Sequence, residues 1–211
     1  MEREQRRAQI LEVAKAIFAE KGYHHAKIDD IVARARVARG TFYLYFGDKR
    51  AIFSELVDNC VDAVNAAIYA IDLARRDLSP IEQLTDNVDR VVRVFVDEPA
   101  LARILFNEAV GLDPEFDRKL LAFYDGVTSM IVRALVEGER VGMVRPGDSK
   151  ARALCVLGIV KEFLYQLSLR EHGFDREAVV RTVIELVNGG WLTDLVRSGR
   201  RIDEFSTASM A

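Results

Sequence analysis

Apolar residues at Ile10, Val13, Ala14, Ile17 and Phe18 follow the i, i+3, i+4, i+7, i+8 spacing of a single helix face, and Gly22 marks where that helix stops. A second stripe, Ile28, Ile31, Val32 and Ala35, comes after the turn Tyr23-His24-His25-Ala26-Lys27. Asp29 and Asp30 there favour the positive N-terminal end of a short helix. Phe42 and Phe46 are four apart and predict a third short helix anchored by two rings and ended by Gly47. With the rings inward, Gly40, Thr41 and Leu44 point outward, Tyr43 and Tyr45 flank them, Arg39 leads in and Lys49 follows. Val37 is an apolar plug between the second and third helices. Helix, tight turn and helix is the arrangement whose second member enters the major groove, and a reading helix needs side chains for base edges and hydroxyls for phosphates. On this stretch alone, an aromatic-rich core helix fits equally well.

Longer helices follow. Phe53, Leu56, Val57, Cys60, Val61, Val64, Ala67, Ile68 and Ile71 form one stripe, predicting a fourth helix that links the first segment mechanically to the next. Ser79-Pro80-Ile81-Glu82 is a capping box with proline at the first helical position, and the helix it starts carries Leu84, Val88, Val91, Val92 and Phe95. Asp97-Glu98-Pro99 breaks it before a short helix with Leu101, Ile104, Leu105 and Ala109. Asp113-Pro114 opens a long one, with Leu120, Tyr124, Val127, Ile131, Leu135 and Gly138 on one side, until Gly142 and Arg145-Pro146-Gly147 interrupt it. Asp148 is placed to cap the penultimate helix, whose segment from Ala153 to Val160 is apolar on every side and needs cover all round. A second subunit is the natural cover, and Gly158 permits close helix approach; an internal core of a monomer is the alternative. The last helix, from Asp175, shows Val180, Val183, Ile184, Val187, Trp191 and Leu195.

Half the residues are apolar and 30% charged, an ordinary globular composition, and only four prolines in 211 residues favour long uninterrupted helices over a β-rich fold. The charged start Met1-Glu2-Arg3-Glu4 has no apolar core behind it, and no apolar run approaches the ~20 residues that span a bilayer. A cytoplasmic protein that uses no membrane is expected. Cys60 and Cys155 lie in apolar helical patterns and read as buried thiols. The net charge of -3 hides an asymmetry: residues 1 to 53 carry eleven Lys and Arg against seven Asp and Glu, +4, which leaves -7 for the remainder. A nucleic-acid surface therefore belongs to the N-terminal quarter. Catalysis has no foothold, because His24, His25 and His172 have neither metal-ligand nor triad spacing. No metal or cofactor is expected.

The run Phe18-Ala19-Glu20-Lys21-Gly22-Tyr23, then Ile28-Asp29-Asp30-Ile31-Val32, then Gly40-Thr41-Phe42-Tyr43-Leu44-Tyr45-Phe46, closing with Lys49, resembles the TetR family of bacterial regulators over about residues 8 to 53. The resemblance implies an all-α homodimer. Residues 1–50 would form a three-helix helix-turn-helix DNA-binding domain and residues 51–199 a helical ligand-binding and dimerisation domain; residues 200–211, polar and small after Gly199, are expected to form a disordered tail. It also implies a ligand-responsive regulator, most often a repressor released from a palindromic double-stranded operator, with the homodimer made by the last two long helices. Arg39, Gly40, Thr41, Tyr43, Leu44, Tyr45 and Lys49 fall where the family touches DNA. Lys27, Arg36 and Ala38 depart from the usual Thr, Gly and Ser. Loss of a hydroxyl cap costs typically ~1 kcal/mol, and a side chain is strained if the turn needs a positive φ. Lys27 and Arg36 read either as phosphate contacts or as solvated charges.

The pocket that the resemblance implies is sought among Arg103, Phe106, Asn107, Phe123, Tyr124, Glu162, Phe163 and Tyr165, polar or aromatic residues inside apolar stretches. A hydrophobic or amphipathic small-molecule effector is expected, anionic if Arg103 faces it and cationic if Glu162 does. A helical dimer acting on a protein partner and a small-molecule enzyme or carrier are the rival readings. Repressor versus activator is left open by the residues.

Overall fold

The computed structural model describes residues 3–169 and 175–190; His172, Trp191, Leu195 and the tail 200–211 lie outside them. The described helices are α1 (Arg3–His25), α2 (Ile28–Ala35), α3 (Arg39–Tyr43), α4 (Lys49–Ala67), α5 (Pro80–Asp97), α6 (Pro99–Arg103), a π turn (Ile104–Glu108), α7 (Pro114–Arg140), α8 (Ser149–Leu169) and α9 (Arg176–Gly190). Among the described residues no helix is long and apolar enough to cross a membrane. The chain divides into two compact units. One takes in Met1–Asn65, Phe95–Leu121 and Leu164–Glu171, the other Ala66–Val94, Ala122–Phe163 and His172–Ala211. Each is therefore assembled from segments distant in sequence.

In the first unit, α1 buries Ile10, Ala14, Ile17 and Phe18 and packs on α2, α6 and the π turn. Gly22, with φ 75° and ψ 160°, breaks α1, a conformation that a side chain makes costly. The core is aromatic: Phe18 meets Phe53 edge-on at 5.1 Å, Tyr23 tilts on Phe53 at 4.7 Å, and Phe53 meets Phe116 at 5.5 Å. Such pairs contribute ~0.5–1.5 kcal/mol beyond the area they bury. Asp48 caps α4 by accepting the Ala51 N–H at 2.7 Å. Arg50 then joins Asp113 at 3.1 Å and Glu115 at 2.8 Å. The Asp113 carboxyl lies below its ordinary range; burial opposes this, but the Phe116 and Glu115 N–H groups and the Arg50 guanidinium prevail.

Between Arg103 and Ala109 the expected short helix changes register. Ala109 N–H bonds the Ile104 carbonyl at 2.9 Å, an i to i+5 bond that closes a π turn. Apolar spacing did not reveal it, since Ile104, Leu105 and Phe106 are all buried and an α stripe would contain them too.

In the second unit, α4 stops at Ala67, short of Ile68 and Ile71 in the expected stripe. Its end is met by α5: Arg90 donates to the Ala67 carbonyl at 2.9 Å, and Asn87 accepts the Tyr69 N–H at 3.0 Å. The Ser79 capping box forms as expected, with Ser79 N–H on Glu82 at 2.7 Å and Glu82 N–H on Ser79 Oγ at 3.3 Å. Leu135, Val144 and Ala153 make a local core with Ile81, Ile131 and Val132. Asp148 caps α8 through the Ala151 N–H at 2.9 Å. Asp175 does the same for α9, accepting the Ala178 N–H at 3.1 Å. Cys60 of the first unit is buried as expected, whereas Cys155 is exposed on α8. A helix apolar all round carries no sign of which side stays uncovered, and this side is one.

Candidate nucleic-acid interface

The interface candidate is built by α2, its turn and α3. At the start of α2, Lys27 supplies no side-chain cap; instead Asp30 accepts the Lys27 N–H at 2.9 Å. The Asp30 carboxyl is held below its ordinary range by the Lys21 ammonium first and by that N–H second. At its end Arg36 adopts φ 53° and ψ 47°. The Arg36 N–H bonds the Ala33 carbonyl at 3.2 Å and the Val37 N–H the Val32 carbonyl at 3.1 Å, the two bonds of a Schellman ending. A side chain in that left-handed geometry costs roughly 1 kcal/mol; this turn does take a positive φ, and arginine bears it.

Ala38 precedes α3 without a side-chain cap, and α3 itself has five residues. It ends at Tyr43, earlier than the Gly47 stop expected, though the Phe46 N–H still bonds the Phe42 carbonyl at 3.0 Å and carries the turn onward. An uncapped start with Gly40 and Thr41 inside makes a weak helix. What fixes it is the inner side, where Phe42 is 0% exposed and Phe46 3%. Arg7 supports that side, its guanidinium 5.0 Å from the Phe46 ring and paired with Glu55 at 2.5 Å.

On the outer side, Arg39, Gly40, Tyr43 and Leu44 are exposed, and Thr41 and Tyr45 are half-buried. Leu44 is 72% exposed and Tyr43 47%. Arg39 pairs with Asp29 at 2.7 Å, and the Tyr43 phenol first, then the Asp29 carboxylate, raise its pKa. Lys27 and Arg36 are exposed at opposite ends of α2. Lys49 is placed differently from the rest: its ammonium donates to the carbonyls of Tyr23 at 2.7 Å and Ala26 at 3.1 Å and sits 4.3 Å from the Tyr23 ring. Burial lowers its pKa.

The pocket candidates are divided between the units. In the first, Phe106 is buried against Phe95 at 5.3 Å, Arg103 is exposed, and Asn107 meets Ser168 at 3.4 Å, whose hydroxyl also donates to the Tyr165 carbonyl. In the second, Phe123 and Tyr124 pack at 5.2 Å, Lys161 lies 5.0 Å from the Tyr124 ring, Phe163 is half-buried and Glu162 exposed. The second unit also holds a cleft of about 230 Å³ lined by Tyr69, Gln83, Asn87 and Arg90 among others. Sequence reasoning missed it, because its walls come from the segment after α4 and from one side of α5, which spacing does not bring together.

Residues 10–56 match the family described as bacterial regulatory proteins, tetR family, and residues 77–164 match a tetracyclin repressor-like C-terminal domain. A fatty acid metabolism regulator protein of Bacillus subtilis is 24% identical over 187 residues, covering 86% of this chain and 93% of that one. The biofilm operon negative transcriptional regulator IcaR of Staphylococcus aureus is 25% identical over 128 residues, 55% of this chain and 68% of that one. The crystal structure of FadR from Bacillus subtilis in complex with stearoyl-CoA superposes with a TM-score of 0.70 at 24% identity, covering 85% of this chain and 96% of that one. The outward α3 face, the all-helical architecture and two matches that fall on both halves of the chain agree: the chain belongs to the tetR family of bacterial regulatory proteins and is a DNA-binding transcriptional regulator.

Proposed function

We propose that this regulator is a cytoplasmic repressor that reads a palindromic operator as a homodimer and is released by a long-chain acyl-CoA or an effector of like chemistry. Residues 1–50 read the DNA, and residues 51–199 take the effector and pair the two copies. The observation that carries the reading is the α3 face itself: Leu44 stands 72% exposed beside Tyr43 while Phe42 is wholly buried. Thr41 and Leu44 read base edges and Gly40 allows close approach. Arg39, Tyr43, Tyr45, Lys27 and Arg36 meet phosphates, and Lys49 serves that surface through the carbonyls it braces.

Two observations support the rest. Leu154, Cys155 and Gly158 on α8 and Leu186 and Gly189 on α9 are exposed, apolar or small positions suited to a partner's helices. The effector class is supported by the Bacillus subtilis relative solved with stearoyl-CoA. An anionic head group, as on that CoA thioester, is one that an exposed guanidinium such as Arg103 would pair with. The test is selection of bound sequences from random DNA by the purified protein at two salt concentrations, then titration of the selected duplex with stearoyl-CoA. A palindromic consensus, steep salt dependence and release by stearoyl-CoA are expected. No enrichment at low salt would overturn the operator reading, and enrichment without release would overturn the effector class.

A further inference from the structure

Glu108 is the last residue of the π turn, and its carboxylate reaches 85 positions back along the sequence, where it accepts the Tyr23 N–H at 2.7 Å. That N–H follows the break at Gly22 and has left the α1 ladder. A Cβ on Gly22 would stand 3.0 Å from the same carboxylate, so the glycine is needed for approach as well as for its φ. Beyond the break, Ala26 N–H bonds the Gly22 carbonyl at 3.1 Å and closes one turn. Glu108 caps the start of that turn as an N-terminal acid caps a helix. The turn's other end is held too: Lys49, the first residue of α4, donates to the Tyr23 and Ala26 carbonyls, and Lys27, the residue after Ala26, is the N-cap of α2. One carboxylate thus fixes the piece of backbone from which α2 and the start of α4 depart. Its reach depends on register, since in an α register Glu108 would be turned by about 100° around the helix axis.

We propose that Glu108 is a positioning residue for DNA binding, tying the reading head to the π turn through the Tyr23 N–H. This rests on the operator reading above, and the experiment separates the two. Charge and reach are split with two full-length variants, Glu108→Gln and Glu108→Asp, measured for amide hydrogen exchange at Tyr23 and for affinity toward the selected duplex across a salt series. Gln keeps an acceptor oxygen at the same length; it is expected to bind the duplex within about threefold of the wild type and to keep Tyr23 protected. Asp keeps the charge but falls short; roughly tenfold faster Tyr23 exchange and roughly tenfold weaker binding are expected. The salt slope should not change, because no phosphate contact is lost. A charge effect predicts the reverse order, with Gln tightening binding by removing an anion. Asp behaving as the wild type, or Gln weakening binding as much as Asp, would overturn the proposal. Wild-type protein that selects no duplex would defeat the operator reading, while the Tyr23 exchange of the two variants would still decide whether the tie exists.

Discussion

In the reading head the apolar side chains are enclosed, with Ile31 and Phe42 at 0% exposure. On α8 and α9, by contrast, Leu154 and Leu186 stand 52% and 53% exposed. Both regions are helical and rich in aliphatic or aromatic residues, so composition does not separate them. What separates them is what remains outside. The head leaves out arginines, hydroxyls and a single leucine, groups matched to a polyanion with methyl-bearing bases, whereas α8 leaves out Leu154, Cys155 and Gly158, matched to another apolar surface. The head's interior is therefore enclosed among the described residues, whereas α8 keeps an apolar side exposed.

Four substitutions break or sharpen that contrast. Phe42→Ala empties the centre of the head and is expected to cost ~3–5 kcal/mol, seen as loss of the head's amide protection while α7 and α8 retain theirs. Leu154→Arg places a charge on the uncovered α8 side. The variant should sediment as a monomer with an unchanged helical spectrum, and lose about 100-fold in affinity for a two-half-site duplex through lost avidity. Leu44→Ala should leave stability alone and change base preference in the selected consensus by ~1–3 kcal/mol; an unchanged consensus would count against base reading at Leu44. Smallest is Arg36→Gly, which relieves the left-handed geometry. A melting midpoint raised by up to ~3 °C is expected, together with a salt slope shallower by about one if Arg36 meets a phosphate.

Much of this was legible because it is local. The Ser79–Glu82 box, the Asp148 cap, the start of the last helix at Asp175 and the α1 and α2 stripes each lie within a few residues, and spacing alone states them. At Arg36 the turn raised a positive φ only as a condition, and the Schellman bonds are what impose it. Partners far along the chain left no trace: Arg90 ends α4 from 23 positions away, and Glu108 meets Tyr23 across 85. The resemblance puts Lys49 at the DNA surface, and nothing in its spacing shows that its ammonium also meets the carbonyls of Tyr23 and Ala26. The pocket candidates met the same limit: Phe106 is buried, Asn107, Phe123, Tyr124, Phe163 and Tyr165 are half-buried, and Arg103 and Glu162 are exposed.

The two cysteines make the natural chain a protein with one reactive handle. Burial, and after it the nearby Glu98, push the Cys60 thiol up to about 12, so it stays protonated and shielded at neutral pH. Cys155 is exposed one residue after Leu154, and a maleimide dye should therefore attach there alone, without mutagenesis. If α8 pairs with its copy, dilution should accelerate labelling as the thiol is uncovered, and the concentration at which the rate changes would read out the dimer's dissociation constant directly.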